Sequence, residues 1–151
     1  MAAKATGRLR SICPDCILTS AYDAAQVNWG STWRMPTLAE FQALKEATYW
    51  LWDATDKGCY VYTPNPSTDA GKYNNGTGSY SKDSALLFFP SPGYGNGDQL
   101  ITIGSHGHDW SSTIYSLSFQ SAYLLSFNPN EALHDNIRLR CYGHSIRPVS
   151  D

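Results

Sequence analysis

Beyond Thr48 the chain is built from short runs of strand-forming residues, none of them long, broken by Gly, Pro, Asn and Asp. The longest apolar run, Ala85 to Phe89, has five residues. That is far below the roughly 20 that a membrane-spanning helix needs. A chain of this kind can fill a core only by pairing many short strands through tight turns. Twenty aromatic residues and twenty Gly plus Pro agree with this, and a helix bundle, which would carry more Leu, Ala, Glu and Lys, is excluded. With 151 residues, 42% of them hydrophobic and 16% charged, there is one domain's worth of core. A net charge of −2 argues against a nucleic-acid backbone as the main partner.

Two helices are predicted early. Ser20-Ala21-Tyr22-Asp23 places a carboxylate three residues after a hydroxyl, a pattern that satisfies free N–H groups at a helix start. That helix should carry Ala24, Ala25 and Val27 and stop before Gly30. Pro36-Thr37 followed by Glu40 predicts a second, clearer start, with Phe41, Leu44 and Ala47 or Thr48 forming one apolar stripe.

The rest reads as strand and turn. Tyr49 to Trp52 and Cys59 to Tyr62 flank a turn at Asp56-Lys57-Gly58. Asn65 to Asp83 reads as a polar loop, and Ala85 to Phe89 as a strand buried on both faces. After a turn at Gly93 to Gly97, short strands are expected around Leu100, Trp110, Ser121 to Phe127, Ile137 to Tyr142 and Ser145 to Val149. Helices first and strands after define an α+β fold. A divergent segment over residues 1–20 would precede a single domain over 21–151. No apolar stretch follows Lys4, Arg8 and Arg10, so that segment does not read as a signal peptide.

A search for reactive constellations finds little. There is no phosphate-cradling glycine loop, no G-x-S-x-G elbow and no H-E-x-x-H. Cys13 and Cys16 form a C-x-x-C without a second pair, which reads as a terminal turn rather than a zinc or redox site. His106-Gly107-His108-Asp109 could ligate a metal if the segment is extended and His134, Asp135 or His144 joins it. Exposed loop histidines are the plainer reading.

The C-terminal third is compositionally odd. All four histidines lie at or beyond position 106, and no lysine follows Lys82. Ile114, Leu117, Phe119 and Leu133 fall in segments that otherwise look like loops, where an apolar cluster marks a binding surface.

Several fragments resemble the Fibrobacter succinogenes major paralogous domain. They begin with Asp23 to Gly30, Trp33-Arg34-Met35-Pro36-Thr37 and Glu40. Leu87 to Pro90 with Gly93-Tyr94, Gly104-Ser105 with Gly107, and Trp110-Ser111-Ser112-Thr113 follow. Ala122-Tyr123, Leu125, Phe127 and Gly143 to Val149 complete the series. That family is similar to the C-type-lectin-like fold shared with formylglycine-generating enzymes. The resemblance implies two helices and a twisted antiparallel sheet of short strands, with Trp29, Trp33, Arg34 and Trp110 as scaffold and Arg147 tied into the final strand. It does not carry the enzyme's chemistry, because Cys141 lacks a partner cysteine at the matching spacing.

Lectin-like domains of this type are targets of diversity-generating retroelements, which randomise adenines in a C-terminal repeat. An Asn codon randomised at its first two bases cannot yield Lys, Glu, Gln, Met or Trp. Between Gly104 and Val149 these types occur only as Trp110, Gln120 and Glu131. The resemblance therefore implies a variable set: His106, His108, Asp109, Ile114, Tyr115, Leu117, Phe119, Leu133, His134, Asp135, Leu139, Cys141, Tyr142 and His144. The expected function is non-enzymatic binding of a cell-surface protein or glycan, as an adhesin or receptor-binding tip on a cell surface or phage virion. No cofactor, nucleic acid or membrane insertion is expected. The alternatives are an undiversified carbohydrate-binding module and a metal-dependent enzyme using His106, His108 and Asp109.

Overall fold

The start of the longer helix forms as its sequence predicts. Thr37 Oγ1 accepts from the Glu40 N–H at 3.2 Å, and Glu40 accepts from the Thr37 N–H at 2.8 Å. This reciprocal cap satisfies donors that the first helical turn leaves open. The computed structural model describes residues 16–30, 32–76, 80–118 and 120–150. In chain order its elements begin with α1 (Ala24–Trp29), β1 (Trp33–Arg34), α2 (Leu38–Ala47), β2 (Tyr49–Asp53), β3 (Gly58–Tyr62), β4 (Tyr73–Asn75) and β5 (Leu87–Pro90). They continue with β6 (Tyr94–Asn96), β7 (Gln99–Ile101), β8 (Gly107–Ile114), β9 (Ser121–Asn128), β10 (Glu131–Leu139) and β11 (Val149–Ser150). The protein is α+β.

The first helix begins later than the hydroxyl pattern suggested. Asp23, not Ser20, is the cap: its carboxylate accepts from Ala25 N at 2.9 Å and Gln26 N at 3.1 Å. The same carboxylate accepts from Met35 N at 2.9 Å, so one buried acid ties the helix start to the approach to α2. Arg34 closes the arrangement with a forked pair onto Glu40, at 2.7 and 2.6 Å. The W-R-M-P-T segment is thus a clasp between two helix starts. Trp29 and Trp33 do not share in it as scaffold: they are 56% and 40% exposed, Trp29 at the end of α1, which buries Ala25, and Trp33 in the short β1.

The described residues form four small sheets. The largest has the order β4-β2-β3-β5, and a three-stranded sheet runs β10-β9-β8. Within the first, alternation divides the side chains cleanly. Trp50, Trp52, Cys59, Val61 and Phe89 point to the main core, where they meet Phe41 of α2 and Leu125, Phe127 and Ala132 of the second sheet. Tyr49, Leu51 and Tyr62 point the other way, against Tyr60, Tyr80 and Ala85. The core therefore lies between two sheets and one helix.

Several strand expectations change; the turn expected at Gly93 to Gly97 holds β6, and the last strand is Val149–Ser150 rather than Ser145 to Val149. Ala85 to Phe89 is not buried on both faces as β2 is: β5 is an edge strand, only Phe89 in it is buried, and Leu86 is 58% exposed. An edge also accommodates Pro90, which has no N–H to donate. The polar stretch from Asn65 to Asp83 contains β4, which runs parallel to β2. Finally, Leu133 and its neighbours belong to β10, so the strand expected at Ile137 to Tyr142 begins earlier and stops at Leu139.

The W-S-S-T segment is a bulge with a purpose. Between the pairs Trp110↔Leu124 and Ile114↔Ala122, β8 carries extra residues that its partner lacks. They turn outward to other elements: Ser112 N donates to Pro36 O at 2.8 Å, Leu38 N donates to Thr113 Oγ1 at 3.0 Å, and Leu18 N donates to Ser112 O at 2.8 Å. Ile17 also bridges Thr113, so the fold already includes residues upstream of 21. Among the described residues no helix is long and apolar enough to cross a membrane.

Candidate ligand-binding surface

The C-terminal sheet has two unlike sides. Its inner side sends Leu125, Phe127 and Ala132 into the core. Its outer side carries His108 opposite Ser126 and Leu133, then Trp110 opposite Leu124 and Asn136. Tyr94 of β6 and the segment 142–144 fold over the His108 end of that side, held by paired backbone bonds between Gly95 and Gly143 at 2.7 and 2.9 Å. Gly93, at φ 73°, turns the chain into β6; a Cβ there would stand 2.1 Å from Ile101 O.

Four of the sequence-selected residues converge there. The His144 ring lies 4.5 Å from Trp110, 5.0 Å from His108, 5.3 Å from Tyr94 and 6.1 Å from Tyr142, between centroids. His106 stacks along His108 at 6.0 Å, and its Nδ1 is 3.1 Å from Ser105 Oγ. Burial, then the neighbouring imidazole and the Arg138 guanidinium, pull the His108 and His144 rings down to about 4. At neutral pH both are uncharged. Nδ1 of His108 and both nitrogens of His144 are buried without a hydrogen-bond partner.

Three of the fourteen candidates are not surface residues. His108, Asp109 and Ile114 are 4%, 6% and 2% exposed, because β8 is covered on both sides by the core and the overlying segments. Asp109 faces inward beside Leu125, and burial drives its carboxyl up to about 6 against the opposing pull of the Ser145 hydroxyl and Arg147. Neighbouring strand residues point to opposite faces, so Asp109 cannot join His106 and His108 on one ion. Among the described residues no group of three His, Cys, Asp or Glu side chains is placed to hold a metal. The metal-ligand reading of His106, His108 and Asp109 therefore fails on geometry.

Of the others, Leu117, Leu133, Asp135, Leu139 and Cys141 are exposed, while Tyr115, His134 and Tyr142 are half-buried. Leu117 is 81% exposed on the turn between β8 and β9. Leu139 and Cys141 line an open depression with Gln120 and Arg140. Tyr115 sets its ring edge-on to Tyr123 at 5.5 Å. Phe119 and Cys13 lie outside the described residues.

Sequence reasoning missed two features. Tyr94 was hidden in a Gly-rich stretch that reads as a turn but forms β6, paired through Gly95 to Gly143. A groove of about 710 Å³ is lined by Tyr62, Thr63, Pro64, Asn65, Tyr80 and Ser81, among others, within what reads as a polar loop. The tyrosine content of that loop was its only signal. Comparison with known proteins gives no match: no family model, no curated protein and no solved structure matches this chain.

Proposed function

We propose that this chain is a non-enzymatic ligand-binding domain of C-type-lectin-like fold, displaying a C-terminal surface varied by a diversity-generating retroelement. The observation that supports the reading is the division of labour in the C-terminal sheet. Buried framework side chains such as Leu125 and Phe127 hold the backbone, while Leu117, Leu133, Asp135, Leu139 and Cys141 stand exposed on strands and turns. Such side chains can change without loss of the fold, because surface substitutions usually shift stability by about 0.5 kcal/mol or less. The exposed leucines favour a protein on a cell surface as partner, with this domain at the adhesive tip of a cell-surface or virion protein.

The test is to sequence the DNA flanking the gene. A near-copy of the stretch encoding residues 104–149, differing mainly at adenines and accompanied by a reverse-transcriptase gene, is the expected finding. Absence of both would remove the diversification.

The carbohydrate reading has its own support in the groove at Tyr62 to Ser84. Its lining offers hydroxyls, an amide and tyrosine rings and, among the described residues, no charged side chain, the chemistry that meets a neutral sugar.

A further inference from the structure

Two imidazoles meet on the outer side of β8, and among the described residues no carboxylate acts on either ring. The His108 and His144 rings are 5.0 Å apart and tilted by 57°. Tyr94 packs at 5.5 Å from His108, and Trp110 closes the box from the His144 side. Three of the four ring nitrogens are buried without a partner. Such groups are rare in folded proteins and costly to keep.

The groups facing this pair are His106 beside β8, Trp110 within it, Tyr94 from β6, Tyr142 from the covering segment, and Arg138 from β10. None of them is a carboxylate. Arg138 spends its Nη1 on Asn136 Oδ1 at 2.6 Å and Ile137 O at 3.0 Å, and its positive field reaches both rings. The nearest acid along the strand, Asp109, points to the core side, where its carboxyl meets the Ser145 hydroxyl rather than either imidazole. An imidazolium here would be desolvated, close to a second ring and beside a guanidinium.

The element that carries His144 is held to the body by hydrogen bonds from Gly143 and Ser145, the Ser145–Asp109 side-chain contact among them. Besides the Gly95–Gly143 pair, Trp110 N donates to Ser145 O at 2.9 Å and Ser145 N donates to His108 O at 3.1 Å. The Ser145 hydroxyl donates to the same His108 carbonyl at 2.8 Å.

We propose that His108 and His144 form a proton-operated latch: as a neutral pair they seat residues 142–145 on β8, and in mildly acidic surroundings protonation releases that segment. The sign follows from linkage. Both rings titrate below the ordinary 6.5, at about 4, so the seated form is favoured above pH 6.5 and loses stability as pH falls from there towards 4. Release would carry Tyr142 and His144 away from the rest of the proposed binding surface. That consequence rests on the binding reading; the latch itself does not.

Amide hydrogen exchange tests it, with rates expressed as protection relative to the intrinsic rate at each pH. Between pH 7.5 and pH 5.0, the amides of Gly143, Ser145 and Trp110 should lose about tenfold or more of their protection, while the Leu125 and Phe127 amides keep theirs. In H108F/H144F, whose phenyl rings fill the same aromatic box, the selective loss should vanish. Unchanged protection in the parent protein, or the same loss in the variant, overturns the proposal. Should the variant fail to fold, ring titration of the parent by NMR decides: a value at or above 6.5 for both rings overturns it. No ligand enters these readouts, so their failure is distinct from failure of the binding assignment.

Discussion

Gly107 lies against the ring of Phe127: a Cβ built on it would stand 1.9 Å from Cζ. Phe127 is fully buried and packs edge-on to Phe89 at 5.9 Å, so the ring cannot step aside. G107A should therefore destabilise the domain by about 1–3 kcal/mol, and G107V by more. Urea midpoints measure this. A G107A midpoint equal to the parent's would mean that the sheet is not packed as described.

The clasp around Glu40 makes a prediction with a pH signature. The Arg34 guanidinium, with the Thr37 N–H and hydroxyl, holds the Glu40 carboxyl down at about 2. Its contribution is present above the ordinary 4.5 and is lost as pH falls towards 2. The side chain is 42% exposed, so solvent screens the pair and the benefit stays near the small end of such interactions. E40A should cost about 1 kcal/mol at pH 7, mostly through the lost cap, and should flatten the acid limb of a thermal-melt series. An unchanged acid limb would contradict the assigned pairing.

The legibility of the chain followed the range of the forces involved. The Thr37–Glu40 box and the hairpin of β2 and β3 are local, resting on hydrogen bonds a few residues apart, and both could be read directly. Asp23 as a cap is equally local, to Ala25 and Gln26, but the Ser20–Asp23 spacing offered a competing start; only its tie to Met35 N, twelve residues away, is long-range. The parallel pairing of β4 with β2 and the edge position of β5 depend on sheet order, which no local pattern encodes. In the candidate surface, residue types selected the C-terminal third of the chain but did not separate the two sides of each strand. The bulges at Leu133/Asn136 and Trp110/Ile114 break the alternation, and with it any count of in and out.

The tryptophans separate core from surface. Trp50 is fully buried, stacks on Phe89 at 5.1 Å and donates Nε1 to Thr48 Oγ1 at 2.8 Å. W50A should cost roughly 3–5 kcal/mol, whereas W29A should move the melting temperature by no more than a few degrees. A larger loss at Trp29 than at Trp50 would reverse the assignment of core and surface.

Asp109 should shape the neutral limb of the stability profile. Its folded-state value is raised to about 6 from an ordinary 3.8, so its contribution is present below 3.8 and lost as pH rises through 6. This opposes the trend of the His108–His144 pair. D109N should remove the loss, so that stability between pH 4 and pH 7 rises more steeply than in the parent. A D109N profile parallel to the parent's would show that Asp109 does not titrate in that window.

The central claim is that a fixed framework carries a surface free to vary, and a folded-fraction measurement on two libraries tests it most directly. One library randomises Leu117, Leu133, Asp135, Leu139 and Cys141; the other randomises His108, Asp109 and Ile114. Display followed by protease challenge counts the folded members. Most members of the first library should survive at the parent's protease dose, and few of the second should. Equal survival, or collapse of the first, would contradict the account.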